Sequence, residues 1–159
     1  MNRSDEWFID SAATKHMTND RSILENYVQY QQPRNIYLGD STVISAFGEG
    51  KVRLPTVNSS HDVVLGLHKV LFVPKLTKNL LSVPAMALMG AEIRFDKDKC
   101  LVLKDGKEFI IGSLLRDKLY TVNTIEYAQV SRANNVPSLA VWHCRLRHLN
   151  YTYCESIEE

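Results

Sequence analysis

The sequence predicts a mainly β chain with one short helix, followed by a linker and a C-terminal helical segment. Three observations carry this expectation. Short apolar runs rich in β-branched residues, such as Val63-Val64-Leu65-Gly66-Leu67 and Val70-Leu71-Phe72-Val73, alternate with turn residues through most of the chain. One stretch, residues 82–90, carries the start and stop signals of a helix. Beyond residue 138, Leu139, Trp142, Leu146 and Leu149 recur at helical spacing.

Taken in order, Trp7-Phe8-Ile9 reads as a buried strand that delivers Asp10, Ser11 and then the small residues Ala12 and Ala13. A strand buried behind a carboxylate fixes its main chain, and small neighbours let another group come close. That is how a catalytic Asp is presented, although an Asp at a strand end is also an ordinary turn former. Asn19-Asp20-Arg21-Ser22 is a turn cluster, and residues 29–34, polar and containing Pro33, predict a loop. Ile36-Tyr37-Leu38 and Thr42-Val43-Ile44-Ser45-Ala46-Phe47 then form a hairpin about Gly39-Asp40-Ser41.

Gly48-Glu49-Gly50 interrupts the second strand before Lys51-Val52-Arg53-Leu54 resumes it. Paired glycines inside a strand mark a bend, a bulge or a close approach of backbone; the functional alternative is a mobile flap over a substrate cleft. After a polar loop and two further strands, Ser82 is a good N-cap, Pro84 is tolerated in a first turn, Ala85-Met86-Ala87-Leu88-Met89 is helix-prone and Gly90 can end the helix. A strand to Phe95 follows. The clearest hairpin joins Cys100-Leu101-Val102-Leu103 to Glu108-Phe109-Ile110-Ile111-Gly112 through Asp105-Gly106, a pair that favours a type I′ turn. Residues 114–122 read as a last strand, and residues 124–138 as a linker.

At 159 residues with 45% hydrophobic composition, the chain can bury the core of one ordinary domain with an appendage. Nineteen basic against eighteen acidic residues, with both signs mixed in the local clusters, argues against an electrostatic nucleic-acid surface. Three scattered cysteines make no disulfide framework, so a reducing compartment is expected. With no secretory leader and no membrane-spanning apolar run, the expectation is an intracellular, cytoplasmic protein without a membrane partner. Asp96-Lys97-Asp98 opens like a calcium loop but lacks the Gly and closing Glu that such a loop requires. No serine or cysteine nucleophile motif and no Gly-rich phosphate loop is present.

The stretch Asp10-Ser11-Ala12-Ala13-Thr14-Lys15-His16-Met17 resembles the Asp-Ser-Gly-Ala-Ser/Thr-x-His-Met segment of copia-type LTR retrotransposon polyproteins, with Ala12 where that family usually has Gly. Leu38-Gly39-Asp40 followed by Gly48-Glu49-Gly50, and Val73-Pro74-Lys75-Leu76 running into Asn79-Leu80-Leu81-Ser82, resemble the same region. Val141-Trp142-His143-Cys144-Arg145-Leu146-Arg147-His148-Leu149-Asn150 resembles the Leu-Trp-His-x-Arg-Leu-Gly-His-x-Asn signature that opens the GAG-pre-integrase domain.

The resemblance implies a small closed β-barrel of the retropepsin type over residues 1–123, a linker at 124–138 and the start of the pre-integrase domain at 139–159. It implies an aspartic endopeptidase in which Asp10 is the catalytic carboxylate, Ser11 and Ala12 belong to its loop, and Gly48, Glu49 and Gly50 sit in a candidate flap. Such an enzyme needs no cofactor, works as a homodimer and cleaves an extended peptide of the Gag-Pol polyprotein, within a virus-like particle if the element is active. His143 and His148 correspond to two zinc ligands of an incomplete site, since the completing Cys-x-x-Cys is missing from this sequence. The non-enzymatic alternative is a transposon-derived β-barrel that has become a structural or binding module.

Overall fold

A computed structural model describes residues 6–39, 41–57, 62–114, 119–122 and 124. The linker and the helical segment expected beyond residue 124, with His143 and His148, lie outside the described residues.

The element order is β1 (Trp7–Asp10), β2 (Met17–Thr18), a 3-10 turn (Arg21–Ile23), β3 (Glu25–Tyr37), β4 (Val43–Val57), β5 (Asp62–Phe72), β6 (Asn79–Ser82), α1 (Val83–Leu88), β7 (Glu92–Phe95), β8 (Lys99–Lys104), β9 (Lys107–Leu114) and β10 (Tyr120–Val122). All ten strands join one sheet in the order β3-β4-β5-β2-β6-β1-β10-β9-β8-β7. Two pairings are parallel, β1 with β6 and β2 with β5. Strand β6 therefore lies between β1 and β2, and the segment joining those two must cross the end of β6.

The sheet curls around a core to which both its halves contribute, including Trp7, Leu54, Val70, Leu81, Val102 and Ile110. Burying one such large apolar side chain stabilises the fold by about 1.5–3 kcal/mol. A smaller cluster gathers Met17, Ile44, Ala46 and Val73 under the far half of β4. An antiparallel bridge between Thr56 and Thr124 marks the inward curl.

The barrel does not close, contrary to expectation. Among the described residues no ladder joins the outer strands β3 and β7. Neither offers a continuous edge. Strand β7 has four residues and carries the exposed Glu92–Arg94 pair. Strand β3 takes five residue steps, from Gln29 to Arg34, where β4 takes two, from Gly48 to Ala46, so it bulges around Pro33. Proline has no N–H to donate, and an edge strand tolerates that loss because one side needs no partner. This is why residues 29–34, expected as a loop, belong to an irregular strand.

Other boundaries also differ from expectation. The two strands expected at residues 63–67 and 70–73 are one strand, β5, whose register slips by one residue beside Lys69 at φ 52°. Asn79-Leu80-Leu81-Ser82, expected as the approach to the helix, is itself a strand. The hairpin through Asp105 and Gly106 is as expected: both residues have positive φ, 51° and 72°, and Lys104 pairs with Lys107. Helix α1 also begins as the sequence indicates, with Ser82 Oγ accepting from the Ala85 N–H and Pro84 in the first turn.

Candidate active site

Asp10 is the last residue of β1. The three residues before it, Trp7, Phe8 and Ile9, are buried, and the parallel ladder with β6 sets Asp10 opposite Ser82. The carboxylate is half-buried, and its Oδ1 accepts a hydrogen bond of 2.8 Å from the Ala12 N–H, closing a tight turn on itself. Ser11 and Ala12 beyond it are exposed, whereas Ala13 is buried. The loop therefore turns its acid and two small residues outward from a fixed root.

Ala12 needs no glycine-like backbone. Among the described residues the non-glycine positions with positive φ are Asn26, Ser41, Lys69 and Asp105, so Ala12 has an ordinary φ. Its methyl group is exposed and meets solvent in the single chain.

Buried polar side chains tie the loop to the β6–α1 corner. Ser82 Oγ donates to the Ala13 carbonyl at 2.6 Å, and the Ser82 N–H donates to His16 Nδ1 at 3.0 Å. The Leu71 N–H of β5 donates to the His16 carbonyl at 2.9 Å. One step further along, Thr18 Oγ1 donates to Asn79 Oδ1 at 2.8 Å and accepts from the Asp20 N–H. His16, Thr18, Asn79 and Ser82 are all buried. Burial and, less strongly, the Lys15 charge lower the His16 pKa to about 4, so the imidazole is neutral at ordinary pH.

None of these four carries a site role in the sequence alone. His16 is visible within the Asp10 motif and Ser82 as a helix cap, but their contact joins residues 66 positions apart. The available signal is compositional: Asn79 and Ser82 are the polar ends of an otherwise apolar four-residue strand.

Gly48, Glu49 and Gly50 lie in the middle of β4, away from the hairpin turn at residues 38–42. A Cβ at Gly48 would stand 2.5 Å from the Tyr27 ring and from the Val28 carbonyl, and one at Gly50 would stand 2.8 Å from the Glu25 carbonyl. These glycines let β3 cross close over β4. Glu49 accepts a 2.7 Å hydrogen bond from the Tyr30 hydroxyl. The structure thus gives the glycines a packing role, a close approach of backbone, and does not bring them to a loop tip.

The profile of the β-barrel domain of Pol polyproteins matches residues 7–91, from the start of β1 to just past α1. The retrovirus-related Pol polyprotein from transposon RE2 of Arabidopsis thaliana is 29% identical over 160 aligned positions, which cover 97% of this chain and 11% of that protein. The corresponding protein from transposon TNT 1-94 of Nicotiana tabacum is 29% identical over 146, covering 91% and 11%. A putative transposon Ty5-1 protein of Saccharomyces cerevisiae is 35% identical over 81 positions, covering 51% of this chain and 49% of its own length. The chain thus spans about a tenth of the length of the plant polyproteins it matches. No solved structure matches.

Proposed function

This chain belongs to the β-barrel domain family of Pol polyproteins from copia-type transposons, and from that premise we propose that it is an aspartic endopeptidase region acting on its own polyprotein. The observation that carries this reading is the presentation of Asp10: a half-exposed carboxylate on the end of a buried strand, in a loop of small residues pinned from behind by Ser82.

One chain brings one such carboxylate, so the site forms between two copies. With the two Asp10 side chains at roughly 3 Å, both cannot ionise and the pair shares one proton. The ionised Asp takes a proton from water as its oxygen attacks the scissile carbonyl carbon. The protonated Asp gives its proton to the carbonyl oxygen. The tetrahedral species then collapses: the Asp that took the water proton gives it to the nitrogen as the C–N bond breaks, a hydroxyl of the tetrahedral carbon returns its proton to the other Asp, and the amine leaves. Ser11 steadies the paired loops, and the extended peptide lies as an added strand. The substrate is a Gag-Pol segment, and neither metal nor organic cofactor enters these steps.

The test is cleavage of Gag-Pol-derived peptides by the purified chain beside Asp10→Asn, with mass followed by sedimentation. Cleavage that rises with dimer formation and disappears in Asp10→Asn supports the reading. A folded dimer that cleaves nothing, or cleavage that survives Asp10→Asn, overturns it. The Ala12→Gly variant separates the two explanations of a silent dimer: recovery of cleavage assigns the silence to the Ala12 methyl at the contact between loops, and continued silence leaves a binding module.

A further inference from the structure

We infer that His16 is a positioning residue for Asp10, a neutral latch that holds the 11–16 loop on the β6–α1 corner and lets it go when the imidazole takes up a proton. The geometry is a closed circuit. Asp10 lies opposite Ser82 in the parallel ladder. The Ser82 hydroxyl donates to Ala13 in the middle of the loop, and the Ser82 N–H donates to His16 at the loop's far end. One residue of the corner therefore grips the loop twice, on the carboxyl side of Asp10.

The direction of the second bond fixes the chemistry. An imidazole nitrogen that accepts an N–H bond carries no proton, so neutral His16 holds its proton on Nε2. Protonation places a second N–H on Nδ1, facing the Ser82 N–H. Two donors then confront each other in a buried site, and the Ser82 N–H loses its acceptor. Because the same serine also holds Ala13, displacement there reaches the loop that carries Asp10.

Among the described residues, the neighbours on β6 and α1 offer an imidazolium no compensation. Residues 79–82 of β6 and 83–88 of α1 contain no ionisable side chain. On β5, Leu71 bonds the His16 main chain, with His68 and Lys69 at the bulge beyond. Lys15 beside it adds positive charge, and Asp10 lies at the opposite end of the loop. The lowered His16 pKa, about 4, agrees with this surround.

The catalytic consequence rests on the proteolytic reading; the latch does not. The experiment is a pH titration of the full chain by NMR, following the His16 imidazole and the Ser82 and Ala13 amides, repeated for His16→Asn, whose side-chain oxygen accepts but does not titrate. The expected result is a His16 tautomer protonated on Nε2, with all these signals in the unsubstituted chain moving together at a midpoint near pH 4, and the shared step missing from His16→Asn. A His16 that titrates at its ordinary value near 6.5, or loop amides that ignore its titration, overturns the latch. Both of those outcomes are read in the unsubstituted chain, so neither depends on a variant that folds. In parallel, the acid limb of kcat/KM against pH is expected to be less steep in His16→Asn than in the unsubstituted chain. An unchanged acid limb overturns the positioning role, whereas a chain inert at every pH sinks the proteolytic reading and leaves the NMR result standing.

Discussion

The strands around Asp10 and the β7–β8–β9 meander share one sheet, but the former add long-range side-chain bonds to their backbone ladders. Around Asp10 the added links are buried side-chain hydrogen bonds between residues 61 to 69 positions apart: Thr18 to Asn79, Ser82 to His16 and Ser82 to Ala13. In the meander the links are backbone ladders between consecutive strands, closed by one tight turn, with the Arg94–Glu92 pair exposed and local. A local ladder forms from neighbouring sequence, whereas the site exists only once the chain has brought β6 back between β1 and β2. Long-range pairing of this kind is slow to form and depends on the whole domain. The candidate site is thus the part of the fold most exposed to distant damage.

The largest expected effect tests that dependence directly. Trp7, 1% exposed, roots the strand that carries Asp10. Trp7→Ala is expected to cost about 3–5 kcal/mol in urea unfolding, the usual cost of emptying a large aromatic site. Phe95→Ala at the meander's edge, where the ring is 48% exposed and packs edge-on against Tyr120, is expected to cost far less. Equal costs would mean that both regions hang equally on the core, and the comparison would fail.

Between pH 6.5 and 4, acid should act on the Asp10 region through His16. His16 is a base whose folded pKa, about 4, lies below the 6.5 of an unfolded histidine, so between those values the unfolded chain binds a proton that the folded chain does not. Its contribution is complete above pH 6.5 and is lost as pH falls toward 4, amounting to about 3 kcal/mol. Unfolding measured across that window should show the slope in the unsubstituted chain and lack it in His16→Asn. A slope that survives the substitution would have to come from other groups.

Next in size is Gly48→Ala, at about 1–3 kcal/mol by overpacking. The backbone φ at Gly48 is ordinary; what is missing is room, because Tyr27 and the Val28 carbonyl occupy the place of a side chain. Gly66→Ala, on the neighbouring strand with nothing within 4 Å, is the control and should not destabilise. If both substitutions are harmless, β3 and β4 are not pressed together at that point.

What the sequence made legible follows the same division. The Asp105-Gly106 turn and the Ser82-Pro84 helix start are local chemistry, and both appear where their residues indicate. The buried strand that ends at Asp10 was legible because its apolar run marks it, whereas Asp10 as a candidate acid came from the family resemblance. The strand nature of Asn79-Leu80-Leu81-Ser82 was not, because four residues gain it only by insertion between β1 and β2. Nor was the open edge of the sheet, which is settled by the pairing of β3 with β4 around Pro33. The His16–Ser82 contact was hidden for the same reason, since each residue had a sufficient local explanation.

The smallest expected effect lies in the meander and reverses the logic of Gly48. At Gly106 there is room, with nothing within 4 Å of an added Cβ, but φ is +72°. An alanine there meets only the left-handed backbone penalty, about 1 kcal/mol. The loss should stay local. Chemical shifts at the β8–β9 turn are expected to change while those of Ala12, Ala13 and Ser82 do not, because strands β9 and β10 separate the turn from β1. Movement at the Asp10 loop in Gly106→Ala would show that the ladders transmit strain across β9, β10 and β1, and that the two regions are one mechanical unit.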